Sequence, residues 1–125
     1  MDFTISYVEE LNAIVLKTEG SITVIDSLRM IDAEVDMLEQ YPKASILYDQ
    51  TQSTAENITS DHIIKISEYS ARLGELMEGK KLAVVLVDNL GYGLGRMWQS
   101  FTETKVPFEI KLFRTYEEAE EWIKS

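Results

Sequence analysis

The chain has no cysteine and only two prolines and one histidine among its 125 residues. Without cysteine there is no disulfide, no thiolate nucleophile and no cysteine-based metal site. Pro42 and Pro107 both fall between apolar-patterned stretches, so neither interrupts a strand or helix. No apolar run approaches the ~18 residues that a membrane span requires. The opening Met1-Asp2-Phe3-Thr4 has neither a basic nor an apolar leader region. A cytoplasmic location is the resulting expectation. Basic residues are also scarce, 12 against 22 acidic, for a net charge of −10. That field repels phosphate backbones and anionic lipid, so no nucleic-acid partner is expected.

Apolar residues at 45% and charged residues at 27% describe an ordinary globular chain. At this length it forms one domain with a sizeable core. The most informative stretch runs from Lys81 to Phe101. Leu82 to Val87 are consecutively apolar, which reads as an interior strand buried on both faces. Asp88 and a loop carrying Gly91, Gly93 and Gly95 follow, and then a helical stripe of Leu94, Met97, Trp98 and Phe101. Ligands in open α/β sheets bind past the carboxyl ends of such strands.

Elsewhere, Phe3, Ile5 and Tyr7 alternate with polar residues, and Ala13 to Thr18 form a second strand across a short turn, an antiparallel hairpin. Thr23 and Asp26 resemble a capping box ahead of the stripe Leu28, Ile31, Val35, Leu38, with Asp32, Glu34, Asp36 and Glu39 mostly off it. Ala44 to Asp49 is a third strand, and the polar Gln50 to Asn57 reads as a loop. Thr59 or Ser60 caps a helix whose stripe is Ile63, Ile66, Ser70, Leu73 and Met77, with Gly79 as its stop. Phe108, Ile110 and Leu112 alternate as an edge strand, and Thr115 with Glu118 caps a last helix. The order is β-β-α-β-α-β-α-β-α: an α/β fold with a mixed five-stranded sheet and helices mainly on one face. The expected core joins Ile14, Leu16, Ile46, Leu47 and Val84 to Val85, with Leu28, Met97, Phe101 and Trp122 packed on them. Apolar surface left on the other face could be buried by a second copy, a homodimer.

Gly91-x-Gly93-x-Gly95 is not a dinucleotide fingerprint, because Arg96 stands where the third glycine belongs. Two readings remain open. Backbone N–H groups at a helix start, with Arg96, could hold an anion. Alternatively, the glycines serve a tight turn and close helix packing. The candidate ligand or partner contacts are Asp88, Asn89, Gly91, Tyr92, Gly93 and Arg96. Tyr48, Tyr69, Tyr92 and Trp98 could line an apolar cleft at the same end of the sheet. His62 reads as a surface residue in a helix's first turn. No spaced set of metal ligands and no catalytic constellation assembles, so no metal, no cofactor and no enzyme is expected.

The order of elements resembles the STAS, or SpoIIAA-like, fold, whose superhelix is shared by lipid-binding Sec14-type domains. The resemblance covers nearly all of residues 1–125 as topology. Gly93-Leu94-Gly95-Arg96-Met97 and Phe113-Arg114-Thr115-Tyr116-Glu117-Glu118-Ala119-Glu120-Glu121-Trp122-Ile123 are similar to small bacterial members of that group. The resemblance implies a non-enzymatic binding or regulatory module, with a protein or small-molecule partner. A carrier of a small apolar or anionic ligand near Asp88–Arg96 is the alternative. Regulatory members carry a phosphorylatable serine after the third strand, in an Asp-Ser-Ser-Gly context. Here Asp49 matches the acidic position and the serine pair and glycine do not; Ser53 and Thr54 are the candidates for modification, and their loop, Asp49 to Thr54, is expected beside the Asp88–Arg96 loop.

Overall fold

A computed structural model describes residues 1–125. The elements are β1 (Asp2–Val8), β2 (Ala13–Ser21), α1 (Val24–Gln40), β3 (Ser45–Thr54), α2 (Ser60–Ser70), β4 (Lys81–Val85), α3 (Asn89–Thr102), β5 (Glu109–Phe113) and α4 (Tyr116–Lys124). They form one α/β domain around a mixed five-stranded sheet in the order β1-β2-β3-β4-β5. β1 is antiparallel to β2, and the other neighbours are parallel. The hairpin closes through a single 3-10 turn, Glu9–Leu11, ending on Asn12 in the left-handed region at φ 47°. Asparagine tolerates that region better than most residues.

Strand alternation divides the side chains between two faces. Ile14, Leu16, Ile46, Tyr48, Leu82, Val84 and Ile110 point toward α1, α2 and α3. Ala13, Leu47, Ala83 and Val85 point toward α4. The consecutive apolar run of β4 is therefore split, even residues one way and odd residues the other. This is why a strand covered on both sides loses its polar alternation. Beyond α4, the second face carries Thr4, Ser6, Lys17 and Glu19, so its uncovered part is polar and its apolar part is already covered.

The caps expected at Thr23, Thr59 and Thr115 hold: each accepts a backbone N–H from the first turn of its helix. Asp88 is a fourth cap that the sequence did not suggest. His62 completes a capping box, since the Thr59 N–H donates to its Nδ1 at 3.1 Å. Gly79 stands at φ 75°, the expected left-handed stop. Between Ser70 and Gly79 the helical stripe continues as two short 3-10 turns rather than as α2.

Several expectations are corrected. Gln50 to Thr54 are not a loop: they extend β3, and Gln52 to Thr54 pair with Glu19 to Ser21 of β2. Their polar composition reflects a strand end that runs past β4, whose pairing with β3 stops at Asp49 and Val85. The glycine segment is not a loop either, because α3 begins at Asn89 and takes Gly91, Gly93 and Gly95 into its first two turns. Phe101 is 40% exposed instead of lying in the core. Leu28 and Met97 are half-buried, and Trp122 packs with Phe113 on the α4 face. Glu34, a carboxylate placed with those mostly off the apolar stripe, is fully buried.

Candidate functional site

The carboxyl ends of β2, β3 and β4 all lie at one edge of the sheet, where α1, α2 and α3 start. Because β3 continues past the end of β4, the two strands part there, and the three helices roof the space between them. The result is a cavity of about 90 Å³. Of its 17 lining residues 12 are hydrophobic, among them Ile31, Ile63, Val84, Leu86, Leu94 and Trp98. Two of the four aromatics expected at such a cleft, Tyr48 and Trp98, form its wall, with ring centroids 6.3 Å apart. Tyr69 and Tyr92 do not line it. Tyr69 instead joins Arg72 and Asp32 in a surface cluster between α1 and the end of α2.

The glycines of α3 belong to this wall. Gly91 and Gly95 both line the cavity. A Cβ at Gly95 would sit 2.6 Å from Leu86 Cδ1 and 2.8 Å from Leu112 Cδ2, so the absence of a side chain lets α3 lie directly on β4 and β5. Gly93 faces open space. Of the two readings open from the sequence, the geometry supports close packing at Gly95.

The helix start that was expected to offer free N–H groups is capped from within. The Asp88 carboxylate accepts the Gly91 N–H at 3.0 Å, placing negative charge where an anion would otherwise sit. Arg96 is exposed and takes part in none of the three ion pairs. The cation at this end is Arg114. It donates to Val87 O at 3.1 Å and to Asn89 Oδ1 at 3.0 Å, and its guanidinium lies 4.0 Å over the Tyr92 ring. Asn89 and Tyr92 are thus brought together by a residue outside the expected set. An arginine directly after an edge strand was the available signal.

Asp49, Ser53 and Thr54 do not gather with these residues in one loop. Asp49 points to the α4 side, where its charge, after burial and Glu120, helps push the Tyr116 hydroxyl above its usual range. Its carboxylate accepts from Thr51 N at 3.1 Å and Thr51 Oγ1 at 2.7 Å. Ser53 is buried in a hydroxyl pair with Thr18, so it is not presented for modification, while Thr54 is exposed at the strand end.

Behind the cavity wall lies a pair that sequence periodicity did not reveal. Tyr48 donates to Glu34 Oε2 at 2.7 Å, and Glu34 Oε1 has no partner. Burial pushes the Glu34 carboxyl up to about 8, only partly offset by the Tyr48 hydrogen bond. Burial and the adjoining carboxyl raise Tyr48 well above its ordinary value. Both groups are therefore largely neutral at pH 7, the form a dry interior tolerates. The sequence matches no family model and no curated protein.

Proposed function

We propose that this chain is a non-enzymatic binding module of the STAS/SpoIIAA-like type whose role is to carry a small apolar ligand in the cavity at the carboxyl ends of β3 and β4. The observation that carries this reading is the cavity itself: apolar on most of its wall, and located where α/β sheets bind ligands. The order β1-β2-β3-β4-β5 with α1, α2 and α3 on one face agrees with the winding of that fold. The cavity opens at the partly exposed Gln50, Ile58 and Leu94, which leaves a path for a ligand to enter. The reading puts the module in the cytoplasm, free or in contact with a protein partner or a second copy.

Native mass spectrometry of the protein recovered from its source cell tests it. The expected result is a mass excess from one small molecule, absent from an Ala55→Phe variant that fills the cavity and retains a cooperative melt. Full-length apo protein from the cell, together with no rise in melting temperature on adding toluene, would overturn the reading.

A further inference from the structure

We propose that the cavity selects an uncharged ligand: a compact apolar body of about one ring, bearing a single amide-like or alcohol-like group that meets the side-chain amide of Gln50. This inference rests on the carrier reading and adds the chemical class of the ligand.

The wall contains no Asp, Glu, Lys, Arg or His. A charged group entering it would lose water and gain no counter-charge, a cost of several kcal/mol in an apolar setting. The helix starts at this edge offer an anion little, because Thr23, Thr59 and Asp88 already occupy first-turn N–H groups. The one deeply buried carboxyl nearby, Glu34, lies behind Tyr48 and not in the wall.

Most polar groups in the wall are also committed. Ser27 Oγ donates to Thr23 O at 2.9 Å, and the Tyr48 hydroxyl to Glu34. Ser70 Oγ donates to Ile66 O at 2.7 Å and accepts from Trp98 Nε1 at 3.2 Å. Gln50 is the polar wall residue whose side chain has no partner within the chain, and it is half-buried. A primary amide both donates and accepts, so it pairs with an amide or hydroxyl and has no preference for charge.

The backbone at Gln50 is itself irregular. Lys17 pairs with Asp49 but Glu19 pairs with Gln52, so β3 carries one residue more than β2 across this step. A bulge of this kind re-aims a side chain and is common beside binding sites. The Asp49–Thr51 hydrogen bonds hold it from the other face of the sheet. Tyr48 and Gln50 then both face the cavity, and Ser53 returns to the same face three residues on.

Size sets the body of the ligand. An apolar cavity of ~150 Å³ encloses a benzene ring. At about 90 Å³ this one takes a ring whose edge reaches the mouth, marked by the partly exposed Gln50, Ile58 and Leu94.

Isothermal titration at pH 7.5 with four probes of similar shape tests the inference: toluene, benzamide, benzoate and benzamidinium. Toluene and benzamide should bind, with benzamide at least about tenfold tighter than either ion. Gln50→Ala should weaken benzamide about tenfold and leave toluene unchanged. Gln50→Glu should move the preference toward benzamidinium. Melting curves establish that each variant is folded. Binding of toluene with benzoate as tight as benzamide, or benzamide binding unaffected by Gln50→Ala, would overturn the selectivity and leave the carrier reading standing. If toluene also fails to bind, this inference falls, and the carrier reading falls with it when the protein from the cell is apo.

Discussion

On one face of the sheet, α1, α2 and α3 enclose a cluster of 17 buried residues, a fully buried carboxyl and a cavity. On the other, α4 alone covers seven buried residues, and Ala83 and Ala119 are packed to zero exposure. The thin face is small and close-fitting because one nine-residue helix has to lie flat on β4, and alanines let it approach. The thick face contains a cavity and an orphaned carboxyl oxygen. Most of the apolar burial, and the irregularities that suggest binding, lie on the three-helix side, whereas the α4 side is small and close-fitting.

The largest effect expected from this contrast is at Val85, fully buried under α4. Val85→Asp places an unpaired charge there and should abolish folding, read as loss of the cooperative thermal transition. Ser6→Asp, on the same face but outside the helix, should melt like the wild type. Equal melting temperatures for wild type and Val85→Asp would remove β4 from the centre of the fold.

Next comes Glu34. Burial holds its carboxyl at about 8 in the folded protein, above the ordinary value of 4.5. Between these values the native protein keeps a proton that the unfolded chain releases, so stability falls as pH rises through that window. Below it, the group costs nothing by this route. Glu34→Gln keeps an acceptor for Tyr48 and removes the titration. Urea unfolding should therefore show the variant gaining on the wild type from pH 5 to pH 8, by on the order of 4 kcal/mol. Parallel pH profiles for the two proteins would contradict burial of Glu34 as its dominant perturbation.

Smaller still is a pair of added methyl groups. Ala83→Val enters the filled face and should cost about 1–3 kcal/mol by overpacking. Ala55→Val enters the cavity wall and should be neutral or slightly stabilising, because its methyls have space to occupy. Denaturant midpoints compare the two directly. A larger loss at Ala55 than at Ala83 would reverse the assignment of tight and loose faces.

The order of elements was legible because apolar period and capping are local properties. Thr23, Thr59 and Thr115 announce their helices, and β4 announces its two-sided burial by losing alternation. Glu34 was not legible, since a carboxylate one step off an apolar stripe is normally solvated. Its burial depends on the carboxyl keeping its proton and on Tyr48, distant in sequence, as its one partner. Gln50 to Thr54 were misread because a strand end paired on one side needs no apolar residues. The edge of the sheet at which the sequence places a candidate site also holds the cavity, and Gly91, Tyr48 and Trp98 fall in its wall. Its polar element was not found at Arg96, because which side of α3 meets the sheet depends on Gly95 packing against Leu86 and Leu112. The role of Gln50 depends on a register shift between β2 and β3, which no single strand's sequence encodes.

The central claim is that the space beside Trp98 is a real, accessible apolar cavity. A crystal pressurised with xenon measures this directly, since xenon enters dry apolar cavities without needing a hydrogen bond. The account predicts one strong xenon site bounded by Tyr48, Leu86 and Trp98, and none between α4 and the sheet. Side chains collapsed into that space, with no xenon there under pressure, would contradict it.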